Sequence, residues 1–139
     1  MATTTATITL SSADISDNNL SISNTATLTT AGTDTGVTKT TGLTRVVLAD
    51  SAAVTLIDAG AATRLNTIAK GKIYITNLNA RGDGTKFVTL EMHGHEIGRL
   101  YGGDFAFFPF DGGAANDILL DPFDATETTL EYIVFYEAS

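Results

Sequence analysis

The chain has 139 residues, a length that fits one domain with an appended arm. Its formal net charge is −8, from 8 Lys and Arg against 16 Asp and Glu, so we expect no basic face for direct binding of nucleic acid or an anionic membrane. Because cysteine is absent, the fold uses neither disulfides nor thiolate metal ligands. The abundance of threonine, which is β-branched, predicts an all-β protein.

Residues 1–41 are predicted to form an extended Thr-rich arm of short strands. The segments "ATITL" and "LSISNTATL" place apolar residues at alternate positions, and the Asp, Asn, Ser and Gly residues around them favour turns. This region has too few apolar residues for a core of its own and could be disordered in isolation. We therefore expect it to dock on its own domain or on a neighbouring subunit. Its start, "MATTTATITL", does not have the pattern of a signal peptide.

Residues 42–139 are predicted to form an antiparallel, jelly-roll-like β-sandwich. Short apolar segments alternate with Gly- and Asp-rich turns at intervals of about 8–12 residues, as in sandwiches and barrels. One segment, "GAATRLNTIAKG", is ambiguous between a helical turn and a loop. The predicted strands are "LTRVVLAD", "AAVTLIDA", "KIYITNL", "TKFVTLEM", "HEIGRLY", "FAFFPF", "ILLD" and "TLEYIVFYEA".

Two of these strands, "FAFFPF" and "TLEYIVFYEA", are apolar on both faces. Such a strand is either covered twice within the chain or contacts another subunit, so an aromatic core and an interface are both open explanations. Pro109 has no N–H for a strand ladder, which predicts that "FAFFPF" lies at a sheet edge or ends there. The candidate interface residues are Phe105, Phe107, Phe108, Phe110, Tyr132 and Tyr136.

The stretch "LEMHGHEIGRL" contains the only two histidines. His93 and His95, with Glu96, could begin a metal site, but a catalytic zinc needs three protein ligands and a structural zinc needs four. The favoured alternative is a two-residue hairpin turn at His93 and Gly94, because glycine accepts positive φ and histidine is enriched there. Pairing about that turn would place Leu90 opposite Ile97.

No other pattern predicts enzymatic chemistry or a cofactor. The chain has no Gly-x-Ser-x-Gly elbow, no cysteine nucleophile and no Gly-rich phosphate loop. The tripeptide Arg81-Gly82-Asp83 matches a cell-adhesion motif but lies within the turn-forming run "NARGDG". Four loop acids are interpreted as solvated turn residues, with calcium binding as the alternative: Asp111, Asp117, Asp121 and Asp124.

From about Lys72 to Glu137 the sequence resembles small tailed-phage virion proteins with β-sandwich folds. The resemblance lies in a strand that ends near Asn77, the hairpin residues Gly94, Glu96, Ile97 and Gly98, the turn at Gly103-Asp104, and the strands "FFPF" and "LEYIVFYE". The family pattern often has Asn or Glu where this hairpin has histidine. That departure leaves a pH-sensitive role for the turn open.

The resemblance implies a structural virion protein that decorates or cements a capsid and has no enzymatic activity. It also implies a homo-oligomer, with a trimer as the expected state, bound to the major capsid protein or another virion protein. The chain would be assembled in the bacterial cytoplasm and reside in the phage particle. A tail or head–tail adaptor is one alternative, and a carbohydrate- or ligand-binding β-sandwich module is another.

Overall fold

The computed structural model describes residues 4–13, 20–28, 37, 39–58, 71–112 and 116–136. All regular structure in these residues is β-strand, as predicted, and the part of the chain described contains no helix that could span a membrane. The ambiguous segment "GAATRLNTIAKG" falls almost wholly outside the described residues. The strands are β1 (Thr4–Ser12), β2 (Leu20–Leu28), β3 (Lys39–Thr40), β4 (Thr44–Leu48), β5 (Val54–Ile57), β6 (Gly71–Asn77), β7 (Val88–Met92), β8 (His95–Leu100), β9 (Phe105–Phe110), β10 (Ile118–Pro122) and β11 (Thr128–Tyr136).

These strands form three antiparallel sheets. Strands β1 and β2 make a two-stranded ribbon, and a four-stranded sheet has the order β5-β10-β7-β8. A five-stranded sheet has the order β3-β11-β6-β9, and β4 joins β11 on the same edge as β3. Strand β9 is therefore at a sheet edge, which confirms the prediction made from Pro109.

The pairings outside the ribbon are nested about a single hairpin. Strand β7 pairs with β8, β6 with β9, β5 with β10, and β4 with β11. Two further pairings, β6 with β11 and β7 with β10, join these nested pairs side by side. The two larger sheets therefore contain strands from both halves of the sequence after residue 38.

Alternating burial explains where the core lies. The seven residues of β6 alternate strictly between buried and half-buried, and the inward residues Ile73 and Ile75 have no exposed surface. Leu90 and Leu120 of the other sheet are 2% and 0% exposed. Side chains from both sheets belong to one hydrophobic cluster, so each sheet shields the inner face of the other.

A β-bulge separates β3 from β4. Thr40 pairs with Phe135 and Thr44 with Tyr132, so three residues of this segment face two residues of β11. Gly42 has φ +78°, which permits the extra residue. The Thr41 amide donates to the Val134 carbonyl at 3.0 Å, and the Thr41 hydroxyl accepts the Val134 amide at 3.0 Å.

The ribbon has two chemically distinct faces. Its nine cross-strand pairs run without a register shift from Thr4–Leu28 to Ser12–Leu20. One face consists only of Thr and Ser, and the Thr7 and Thr25 hydroxyls lie 3.0 Å apart on it. The opposite face has isoleucine, leucine and alanine at most positions, and it includes the exposed Leu10. The ribbon is therefore amphipathic in the manner of a strand pair covered on one side.

Replacing Ile73 with alanine should lower the free energy of unfolding by about 2–5 kcal/mol, because a large-to-small change in a packed core loses burial and leaves a cavity. Val47 offers a matched control, since it lies in the same sheet but is 51% exposed. Val47→Ala should cost within about 0.5 kcal/mol. Urea unfolding measures both values, and equal costs would contradict the shared core.

Candidate functional site

His93 and Gly94 are the two loop residues of the β7–β8 hairpin. Their φ angles are 53° and 71°, and Met92 pairs with His95 across them. Two successive residues at positive φ define a type I′ turn, which matches the right-handed twist of the flanking strands. The His93 amide donates to the Asp117 carbonyl at 3.0 Å, so the turn is also tied to the segment before β10.

The histidines do not gather a metal-ligand set. Their ring centroids lie 6.1 Å apart, and both residues and Glu96 are exposed. No group of three potential metal ligands occurs among the described residues, which include the loop acids Asp111, Asp117, Asp121 and Asp124. Asp124 instead accepts the Thr126 amide at 2.7 Å, as turn aspartates commonly do.

The predicted pairing of Leu90 with Ile97 is wrong. Leu90 pairs with Gly98, and the register shifts between Leu90 and Glu91 because Ile97 is an extra residue on β8. This bulge leaves Ile97 55% exposed rather than buried against Leu90. A two-residue turn fixes the register only as far as the strands remain regular, and the sequence contains no direct sign of the bulge.

Asn77, at the end of β6, is one of two buried polar residues in the part of the chain that the structure describes, the other being Thr128. Asn77 is 1% exposed, and its amide nitrogen donates to the carbonyls of Lys86 (2.9 Å) and Leu100 (3.0 Å). Its side-chain oxygen accepts the backbone amide of Asn79 at 3.0 Å and the side-chain amide at 2.7 Å. One side chain thereby joins the 78–87 loop to the end of β8, and a buried amide with every position satisfied stabilises that connection.

The Tyr101–Asp104 turn lies beside this asparagine. The Gly103 amide donates to the Asn77 carbonyl at 3.0 Å, and Gly103 has φ +78°. Gly102 is packed so closely that a Cβ atom there would overlap the Ala80 carbonyl oxygen. Asp104 closes the turn, because its carboxylate accepts the Tyr101 amide at 3.1 Å.

The Arg81-Gly82-Asp83 tripeptide is engaged within the chain. Arg81 forms a salt bridge of 2.6 Å with Asp104 and donates to the Gly103 carbonyl at 3.2 Å. The Thr85 hydroxyl (2.7 Å) and amide (3.1 Å) donate to Asp83, and these bonds lower the pKa of Asp83 below its ordinary value. The stabilisation from the lowered pKa is therefore present at neutral pH and disappears as the pH falls through the folded-state pKa.

The six aromatic interface candidates separate into two groups. Phe110 and Tyr136 are buried in the shared cluster, and Phe108 and Tyr132 pack against it. Phe105 and Phe107 point away from the core, as their pairing with the outward residues Thr76 and Tyr74 requires. Their assignment to an intermolecular interface stays a prediction.

The outer face of the five-stranded sheet lies next to the end of the ribbon at which Thr4 pairs with Leu28. A cavity of about 250 Å³ separates them. Leu28 of the ribbon is only 5% exposed, whereas Phe105 of the sheet remains 57% exposed. The ribbon therefore covers part of the outer aromatic face and leaves part accessible. The cavity is lined by Thr4, Thr5, Ala6, Thr7, Ile8, Leu28, Tyr74, Phe105, Phe107, Ile133 and Phe135.

Sequence reasoning missed a second aromatic group, formed by Phe87, Tyr101 and Phe123. The Phe87 ring centroid lies 5.0 Å from that of Tyr101 and 4.7 Å from that of Phe123. The Arg99 guanidinium lies 5.0 Å from the same ring centroid, within the range of a cation–π contact. Tyr101 and Phe123 are 42% and 56% exposed, so this group presents aromatic surface to solvent. Its three members come from three separate loops and Arg99 comes from β8, so no local spacing signals their meeting.

Comparison with known protein families finds no family model that matches the chain, and comparison with curated proteins finds no matching relative.

Replacing Gly94 with valine should destabilise the fold by at least about 1–2 kcal/mol, because a side chain at positive φ is strained and a β-branched one more so. The control is His93→Asn with His95→Asn, since asparagine accepts positive φ; we expect a change within about 0.5 kcal/mol. Thermal and urea unfolding measure both. A large loss of stability in the histidine double variant would contradict the purely structural interpretation of this turn.

Replacing Gly102 with alanine should cost about 1–3 kcal/mol, towards the upper end, because the added methyl group meets backbone rather than a movable side chain. Gly98 is the matched control, since a Cβ atom there has no neighbour within 4 Å. Gly98→Ala should leave stability within about 0.5 kcal/mol of the parent. If urea unfolding gave the same result for both variants, the close approach of Gly102 to Ala80 would be disproved.

Proposed function

We propose that the chain is a structural virion protein that binds a phage capsid as a decoration or cement protein. The observation that carries this proposal is the apolar face of the ribbon. Leu10 and Ile22, which pair with each other across the ribbon, are 52% and 50% exposed, and Leu20 is 41% exposed. A continuous exposed apolar surface of this kind indicates contact with another protein.

The strand order supports the same proposal. The eight strands β4 to β11, nested in the pairs described above, fit an eight-stranded jelly-roll sandwich, with β3 continuing β4 across the bulge at Gly42. Viral capsid domains and lectins use this architecture. In this interpretation the ribbon is the N-terminal arm of residues 1–41, and residues 42–139 form the sandwich domain. Because one fold serves many functions, the strand order supports the proposal without carrying it.

The mechanism of stabilisation would be repeated burial of apolar surface. Each copy would contact the major capsid protein through the outer aromatic face around Phe105. Copies of the chain would associate as a homo-oligomer, with a trimer expected, and the oligomer would bind through several sites at once. Multivalent attachment raises the effective affinity without any new type of contact. No catalytic step and no cofactor are part of this function.

Capsids that lack the chain provide the test. Purified protein added to such particles should cosediment with a saturable copy number and should raise the temperature at which the particles release DNA. Serum albumin at the same concentration controls for nonspecific adsorption. Absence of binding would contradict the capsid proposal, and locating the chain at the tail or neck in a reconstruction of the particle would favour the adaptor alternative.

The aromatic group formed by Phe87, Tyr101 and Phe123 favours a second candidate, a carbohydrate- or ligand-binding module. Its two exposed rings pack against the buried Phe87, and Arg99, which lies over the Phe87 ring, supplies hydrogen-bond donors. This candidate requires saturable retention of the isolated protein on glycans, with loss of retention in Tyr101→Ala and Phe123→Ala. Retention that both variants keep would place binding elsewhere.

A further inference from the structure

The two halves of the ribbon are covered to different degrees. The half nearest the five-stranded sheet includes the buried Leu28 and lines the 250 Å³ cavity against that sheet. In the other half Leu10, Leu20 and Ile22 lie on the same face but are 41–52% exposed. The apolar face therefore extends beyond the surface of its own chain that covers it.

The strands of the ribbon contain no charged residue. The sequences of β1 and β2, "TTATITLSS" and "LSISNTATL", have none, whereas the whole chain has a net charge of −8. Two copies of an acidic chain repel each other at most surfaces, but two ribbons approach without that cost. A basic partner, by contrast, would find no acidic residue on these strands with which to pair.

The edges of the ribbon lack the features that usually prevent strands from associating. Natural sheets protect exposed edges with charged residues, proline, short strands or bulges. Here both strands are nine residues long, neither contains lysine or proline, and the register runs through nine pairs without a bulge. Strands β1 and β2 thus contain no charge, proline or bulge that would keep a second ribbon away from their apolar face.

We infer that the apolar face of the ribbon is covered by the ribbon of a second copy of this chain. The apolar faces meet in the interface, and the faces made of Thr and Ser remain in water. Five cross-strand pairs, ten residues per copy, lie on the apolar face, and the pair Leu10–Ile22 lies in its exposed half. This inference rests on the proposed function only for the location of the oligomer on the capsid. The contact between two ribbons can be tested on the isolated protein.

Two double variants test the contact. Leu10→Lys with Ile22→Glu places charges on the apolar face, at residues that pair directly across the ribbon. Thr9→Lys with Ser23→Glu is the matched control, because these residues also pair directly and lie on the hydroxyl face. Both variants keep the net charge and put Lys opposite Glu, a favourable cross-strand pair, so the ribbon itself is equally supported.

Sedimentation equilibrium over a wide range of protein concentration gives the mass and the dissociation constant. We expect the parent chain and the Thr9/Ser23 variant to associate equally, and the Leu10/Ile22 variant to associate at least tenfold more weakly. Circular dichroism confirms that all three retain their β-structure. The inference is overturned if the parent is monomeric throughout, if the Leu10/Ile22 variant associates like the parent, or if both variants lose association equally.

Rebinding to capsids separates this inference from the proposed function. A parent chain that associates through the ribbon but does not bind capsids would retain the inference and contradict the capsid proposal. In a second outcome the parent chain is monomeric, and of the two variants only Leu10/Ile22 loses capsid binding. A shell protein would then cover the apolar face of the ribbon. That result would overturn the inference and retain the proposed function.

Discussion

The ladder between β6 and β11 is the pairing on which the remaining structure depends. These two central strands of the five-stranded sheet have apolar residues on the inner face, and Tyr74, Ile133 and Phe135 add apolar surface to the outer face. Ile73 and Val134, which pair directly, are fully buried against the other sheet. Ile133 and Tyr74, the adjacent pair, point to the opposite side and line the cavity beneath the ribbon. Burial of the first set requires the second sheet, and partial burial of the second set requires the ribbon.

Asn77 provides hydrogen bonds for backbone groups that this burial removes from water. A central strand that ends inside the molecule leaves backbone carbonyls of the neighbouring loops without water. The Asn77 side chain donates to two of them, from Lys86 and Leu100, and accepts from Asn79. The close turn at Gly102 completes this arrangement, because only a residue without a Cβ atom fits against Ala80. Together these two residues end strands without leaving hydrogen-bonding groups unsatisfied.

The distribution of surface chemistry favours binding to another molecule. The histidine turn is the innermost connection of the nested strand pairs, and its positive φ angles serve chain reversal. The exposed apolar residues include groups on the ribbon, on the outer aromatic face and around Phe87, besides single residues elsewhere such as Val47 and Ile97. Each of these surfaces is apolar enough to favour burial by another molecule. The strands of the ribbon carry no charge, so a second copy of this acidic chain can approach them without charge repulsion.

The sequence by itself determined the strands, the turn at His93 and Gly94, and the edge position of β9, because these depend on the period of apolar residues and on the backbone preferences of glycine, histidine and proline. The alternation of side chains along a strand also places Phe105 and Phe110 on opposite faces of β9, but it does not say which face is buried. Only the tertiary structure decided that Phe110 enters the core, that Ile97 is an extra residue in β8, and that Phe87, Tyr101 and Phe123 meet. These outcomes depend on contacts between residues distant in sequence, whose energies are set by the packing of whole sheets and leave no local pattern.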